Sequence, residues 1–500
     1  MVKQQDSTQV GDGSGKGLVL PGLIVGLLTG FAIYGVVEFW IDDMDDKPLA
    51  ITVLLFIATL SASYLLLAER REFAKAAAGA LLIAAFLAIP DFWMASFAGN
   101  EDANLSSFPT VFWFMVSRGI VAFLLLTLVK AAQDDGIPPH YSRVFFHGMT
   151  LPLIAAGAKL FAVLALLLLF AWARLLKELD VNFFNELFQE PWFLMPFLGA
   201  IGGASIAMMR GQQAVLGALR FVILLLARIL MLITALFTIT LLIVLATKGI
   251  DVVFERSYPS AWMIGLALLG MLIFNGVYQN GEGASPPVWL RLPTLITLIG
   301  FPVYALLAFY ALSLRIGDYG LTPPRIGGLV ITGLTAAYSI VCLAGLLTEL
   351  NWRGRKWMPL VGPLNILMAL AWIVALTALA TPIVNPWAIS AKSQFDRVAN
   401  QKVPADEFDF GYLRFELGQH GDKALDELLD LTSHPEAVAI RAGVERARAV
   451  ESYWEYKNPG AFGSFTSEPD EGPMGLELNP DDAGATDAEP AASDEPAETE

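Results

Sequence analysis

Three cations sit inside long apolar runs of this 500-residue chain: Arg118, Lys159 and Arg228, with Arg220 closer to the end of the run that holds Arg228. A cation held at membrane depth costs about 2.5–3.5 kcal/mol on insertion scales unless it snorkels, pairs or faces a wet cavity. The acids seen against them are Glu38, toward the end of the first run, and Glu349, at the end of the tenth. Positive charge therefore exceeds its internal partners. Either each cation snorkels or bonds backbone carbonyls and orients its helix, or several converge on an anionic ligand such as a lipid phosphate, a carboxylate or an isoprenoid-linked phosphate. A second polar concentration is the turn holding Arg315, Asp318, Tyr319, Thr322 and Arg325. Gly320 permits a positive φ there, and Pro323 with Pro324 stiffens the chain beyond it. Thr322 is a candidate N-cap for a helix opening on those prolines. Such a rigid turn either closes on an Arg to Asp pair or binds a substrate or the C-terminal helices.

Other chemistry finds little material. The stretch Gly11 to Gly17 fails as a phosphate loop, because Val10 and Gly17 stand where glycine and Ser or Thr are required. Four histidines, His140, His147, His420 and His434, are too scattered for a ligand set, and the single Cys342 permits no intramolecular disulfide. No H-E-x-x-H, G-x-S-x-G or C-x-x-C occurs. No cofactor and no metal is expected. A net charge of −16 argues against nucleic-acid binding through a general basic field. Of the 48 acids, 12 follow Thr466, where there is no Lys or Arg, so the rest of the chain is nearly balanced at 36 acids against 32 bases.

The elements that must position these residues are membrane helices. A composition 55% apolar and 16% charged cannot coat a water-soluble surface, which ordinarily carries about 25% charged residues. Eleven runs are long enough to cross a hydrocarbon core of about 30 Å, which takes about 20 helical residues. They fall near 18–41, 49–68, 74–97, 108–131, 144–172, 192–209, 216–247, 259–279, 290–314, 328–348 and 359–382. These are continuous runs of Leu, Ile, Ala and Phe without strand alternation, so the expected fold is an all-α, polytopic transmembrane bundle. Gly22, Gly26 and Gly30 leave one face of the first span bare for another helix, and Gly300 with Pro302 predicts a kink in the ninth.

Residues 1–17 read as a flexible tether, 18–382 as the membrane domain, 383–459 as a small α-helical extramembrane region, and 460–500 as a disordered acidic tail. The first span runs too long for a cleaved leader and lacks a small-residue cleavage site, so it should stay as an anchor. Lys and Arg in short loops, among them Arg70, Arg71, Lys75, Arg353, Arg355 and Lys356, favour a cytoplasmic N-terminus, and Asp42 to Asp46 an external loop. Eleven crossings then put the C-terminal region in the periplasm of a bacterial inner membrane.

The run Arg315-Ile316, Asp318-Tyr319-Gly320-Leu321-Thr322-Pro323 and Arg325-Ile326 resembles a bacterial polytopic membrane family known only as domain of unknown function 4153. Downstream, Asn385-Pro386, Ser390, Gln394, Arg397, Phe408-Asp409-Phe410 and Leu413-Arg414-Phe415 also resemble it. The resemblance implies a helical membrane domain with a small soluble C-terminal portion, and no activity.

The leading expectation is an integral membrane protein of transport or envelope maintenance, embedded in the bilayer and handling an anionic or lipid-like ligand. Arg118, Lys159, Arg228, Arg315, Asp318, Tyr319 and Arg325 are its candidate binding residues. The alternatives are an enzyme acting on a lipid-linked substrate, with Asp318, Asp409 or Glu38 as acid or base, and a scaffold or sensor binding an envelope protein partner. The 315–325 turn and the 409–414 segment are expected to touch, with Arg325 against Asp409.

Overall fold

The computed structural model describes residues 17–41, 47–69, 72–98, 108–250, 259–283, 286–351 and 357–458. The tether, the Asp42–Asp46 loop, Arg70, Arg71, Arg353, Arg355, Lys356, the side chain of Glu349 and the acidic tail lie outside them. Among the described residues every regular element is helical.

The membrane helices are α1 Val19–Val36, extended by a π-helical turn Val37–Ile41, α2 Lys47–Leu67, α3 Phe73–Ala98, α4 Phe108–Asp135 and α5 Tyr141–Lys177. After the single short turn of helix α6, Phe183–Leu187, come α7 Pro191–Gly211, α8 Gln213–Lys248, α9 Pro259–Tyr278, α10 Val288–Tyr319, α11 Pro323–Asn351 and α12 Val361–Leu379. All but α6 are long and apolar enough to cross a membrane, giving 11 candidate spans, each within a few residues of its expected bounds. The largest differences arise because α10 carries its helix through Arg315 and Asp318 to Tyr319, and α11 starts directly on Pro323. Helical hydrogen bonding thus outlasts the apolar run by more than one turn.

Packing follows side-chain size. Gly22, Gly26 and Gly30 on α1 lie directly against the Gly203, Gly199 and Met195–Pro196 backbone of α7, so close that a Cβ at any of the three would overlap main-chain atoms. Without water to drive association inside a bilayer, such close backbone approach is what dispersion can use. Gly300 on α10 faces Thr238 of α8, whose hydroxyl meets the Tyr304 hydroxyl at 2.8 Å. Pro302 lies within the same continuous helix.

The extramembrane region forms α13 Pro386–Ala399, α14 Phe410–Glu416, α15 Gly418–Leu429, α16 Ala437–Ala449 and α17 Tyr453–Lys457. Its caps are written in the sequence: the Asn385 side chain accepts from the Trp387 and Ala388 amides, that of Asp409 from Tyr412, and that of Ser452 from Glu455. Phe410, Leu413, Leu417, Leu425, Leu428 and Val444 are its buried core. Some 70 residues make a marginal core alone, and this one is continued by the bundle: Met94, Trp93, Phe97 and Phe114 belong to the same apolar cluster. The appendage therefore docks on the bundle face where α3 ends and α4 begins.

Candidate functional site

The docking face is also where α10 turns into α11, and there the polar turn and α13 build one collar. Gly320 has φ +74°, and a Cβ on it would fall within 3 Å of the Arg397 Cδ and the Gln394 Nε2. Glycine is thus required both for the backbone conformation and for the approach of α13. Four α13 side chains hold the turn by its main chain. The Arg397 guanidinium donates to the carbonyls of Gly317 and Asp318, and the Gln394 amide to those of Tyr319 and Leu321. Ser393 Oγ accepts from the Leu321 amide at 3.0 Å, and Ser390 Oγ donates to the Leu321 carbonyl at 3.0 Å.

These bonds bring cations together. Arg325 donates to the Gly320 carbonyl at 2.6 Å, its guanidinium 5.5 Å from the centre of the Tyr319 ring. Arg315 and Arg397 both lie within electrostatic range of Arg325, as does the Tyr412 hydroxyl. Arg325 and Arg397 make these bonds to neutral carbonyls, and their like charges oppose one another. Arg315 has interactions of its own. The carboxyl-bearing residue of the turn, Asp318, is exposed, and Tyr319 is 62% exposed beside it.

Asp409 faces elsewhere: it pairs with Lys457 at 2.6 Å and accepts from the Tyr453 hydroxyl at 2.8 Å. The expected Arg325 to Asp409 contact is replaced by contact between the turn and α13, because Asp409 is needed as the cap of α14. Burial, and then the Asp409 charge, raise the Glu416 carboxyl above its usual range, and burial pushes the Tyr412 phenol up to about 12. On the same face the Phe97 ring stacks on His420 at 5.7 Å, and the Asn385 amide donates to His420 Nε2 at 2.8 Å. Burial, then Lys423, lower the His420 pKa.

The three cations expected at depth are not brought together. Arg118 is paired with Asp91, an acid inside α3 that the count of internal acids from sequence missed. Nε and Nη2 reach the two carboxylate oxygens at 2.7 and 2.9 Å, and Nη2 also reaches Thr59 Oγ1 at 2.6 Å. The excess of positive charge expected at this depth is thereby corrected, since the Asp91 side chain is fully buried against the guanidinium. Lys159 is exposed on α5, among the exposed Leu160, Phe161 and Val163, where its stem can carry the ammonium toward an interface. Arg228 borders a cleft formed where α9 ends and α10 begins, away from the Arg118 pocket between α3, α4 and α12. Glu38 is exposed on the π-helical end of α1.

The opposite face of the bundle carries its own ion network. Lys130, 6% exposed, bridges Glu69 and Asp134, and Asp134 meets His147 Nε2 at 2.7 Å. Arg210 donates to the Leu65 carbonyl at 2.8 Å. These residues tie the ends of α2, α4 and α7 to the start of α5. No group of three or more potential metal ligands occurs among the described residues.

A family model described as Domain of unknown function (DUF4153) matches residues 50–428. No curated protein and no solved structure matches the chain.

Proposed function

The chain belongs to the family described as Domain of unknown function (DUF4153), and because that membership names no activity, we propose from the geometry that this integral membrane protein binds an anionic, lipid-like ligand at its collar. The observation that carries the reading is the convergence of Arg325 and Arg397, bonded to main-chain carbonyls, beside an exposed Tyr319. Guanidinium groups held in this way are pre-oriented and repel one another until an anion sits between them, and planar forks match phosphate or carboxylate oxygens. The collar lies at a span boundary, the level at which a lipid phosphate resides. In this reading the N-terminus is cytoplasmic and the collar faces the periplasmic side of a bacterial inner membrane, where lipid-linked intermediates are handled during transport or envelope maintenance.

Reconstitution of the full chain in nanodiscs, with titration of phosphatidylglycerol against a phosphatidylcholine background, tests the reading. Each charge-assisted bond is worth about 1.5–3 kcal/mol. Arg325→Gln and Arg397→Gln should then each weaken binding by roughly 10- to 100-fold, and rising salt should weaken the native protein. Equal affinity of native and doubly substituted protein would remove the basis for a collar ligand.

A further inference from the structure

A second set of unusual backbone and side-chain features lies at the other end of the bundle, where no part of the proposed collar reaches. The turn after α9 holds Gln279 at φ 59° and Gly281 at φ 72°, and the segment before α12 holds Met358 at φ 47°. Left-handed backbone at Gln279 and Met358 is costly for a side-chain-bearing residue and persists only where its surroundings fix it. They do: the Tyr278 hydroxyl donates to the Met358 carbonyl at 3.1 Å and accepts from the Gly362 amide at 3.0 Å. The Trp357 amide donates to the Gly283 carbonyl at 3.3 Å, clamping the two segments face to face.

Between them opens a cleft of about 230 Å³. Its polar lining is Arg228, reaching in from α8, with Gln279 and Asn280, and Trp357 forms a wall. The Trp357 ring is fixed by Tyr278 at 5.8 Å and Phe274 at 6.3 Å, the residue is 6% exposed, and its Nε1 is buried without a hydrogen-bond partner among the described residues. An indole N–H can only donate, and buried donors are almost always satisfied. An always-charged guanidinium beside the Gln279 and Asn280 amides, with an unsatisfied indole N–H on a wall residue, favours an occupant that accepts hydrogen bonds and carries negative charge. Among the described residues no carboxylate lines the cleft.

We infer that this cleft is a second binding site, for a phosphate oxyanion, on the face of the bundle opposite the collar. Cleft and collar share no residue, so either site can stand without the other. Size and position favour a phospholipid headgroup: ligand pockets for whole drug-sized molecules run to about 300–1,000 Å³, so this cleft takes a headgroup and leaves the acyl chains outside. It also lies level with the ends of two spans, Tyr278 and Val288. Arg228 stands 15 residues into a helix of 36 residues, about 22 Å from its start at 1.5 Å per residue, and a long side chain leaning toward that end can bring its guanidinium to the boundary level.

The test uses the full chain carrying Arg325→Gln and Arg397→Gln, so that the collar cannot contribute, in micelles without anionic lipid. Dioctanoyl phosphatidylglycerol and inorganic phosphate are titrated separately and in competition. Saturable binding of the lipid, weakened at least 10-fold by Arg228→Gln and by Trp357→Phe and largely retained by Arg228→Lys, is expected. Competition by inorganic phosphate would show that the oxyanion alone is recognised, and lack of competition that the glycerol and chains contribute. Melting curves of the ligand-free variants, unchanged from the parent, separate lost binding from lost folding. No saturable binding of either probe, or undiminished binding to well-folded Arg228→Gln and Trp357→Phe, overturns the site.

Discussion

At the scale of single residues, the chemistry of this protein is decided by which cations have found carboxylates. Arg118 has found Asp91 in a two-point fork with Thr59 beside it, and a buried pair of this kind is far more sensitive to losing one partner than to losing both. Arg118→Gln or Asp91→Asn should each lower stability by about 3–5 kcal/mol, whereas the double substitution should recover much of that loss. Thermal unfolding in one detergent measures all three. The cation was legible in the sequence and its partner was not: no fixed spacing joins positions 27 apart, and an acid seven residues before the end of α3 reads as a boundary residue. His420 offers a second residue-level consequence. The Asn385 amide can donate only to an unprotonated Nε2, and the orientation of that amide is fixed because its oxygen accepts from two backbone amides. With its folded pKa lowered from 6.5, His420 takes up a proton more readily in the undocked state. The His420 contribution to docking of α15 is thus present above about pH 6.5 and is lost as the pH falls through the ordinary histidine pKa toward the lowered one. Limited proteolysis of the 400–436 region should accelerate between pH 7 and 5, and His420→Gln should flatten that dependence.

At the scale of elements, side-chain periodicity and glycine placement made most of the architecture legible. All eleven spans lie close to where apolar runs put them, and the region after Pro382 is α-helical as its composition implied, because local hydrogen bonding and burial both favour the same segments. The bare glycine face of α1 likewise signalled a close neighbour, though only packing could say that the neighbour is α7. Gly26→Leu should force α1 and α7 apart and lower the melting temperature by several degrees. Gly35, with open space around it, should tolerate alanine at no cost, since alanine is the better helix former by about 1 kcal/mol. The collar was half legible. Gly320 and the flanking arginines marked a rigid turn, and the 409–414 segment does approach it through Tyr412, but the expected Arg325 to Asp409 contact failed, since Asp409 caps its own helix while α13 presents Ser390, Ser393, Gln394 and Arg397 along one face. Gly320→Ala meets both the positive φ and the α13 side chains. It should loosen the appendage enough for protease to release it under conditions where the native chain is resistant.

At the scale of the whole molecule, the bundle presents an ion-paired interior, an arginine collar beneath a docked helical appendage, and a cleft on the opposite face. The single helix α10 runs from the cleft to the collar and puts them at opposite ends of the bundle, and in the proposed orientation the collar is periplasmic and the cleft cytoplasmic. Reporter fusions after residue 458 should be active only outside the cytoplasm, and fusions in the turn between α9 and α10 only inside it. Ligand binding at the collar can be read directly by placing a photoreactive amino acid at the exposed Tyr319 position. Illumination in native membranes, followed by mass analysis of the adduct, should yield an anionic lipid or lipid-linked phosphate, and that adduct should be lost when Arg325 and Arg397 are both glutamine. An adduct of unchanged identity and yield in the doubly substituted protein would mean that the two arginines hold no such ligand.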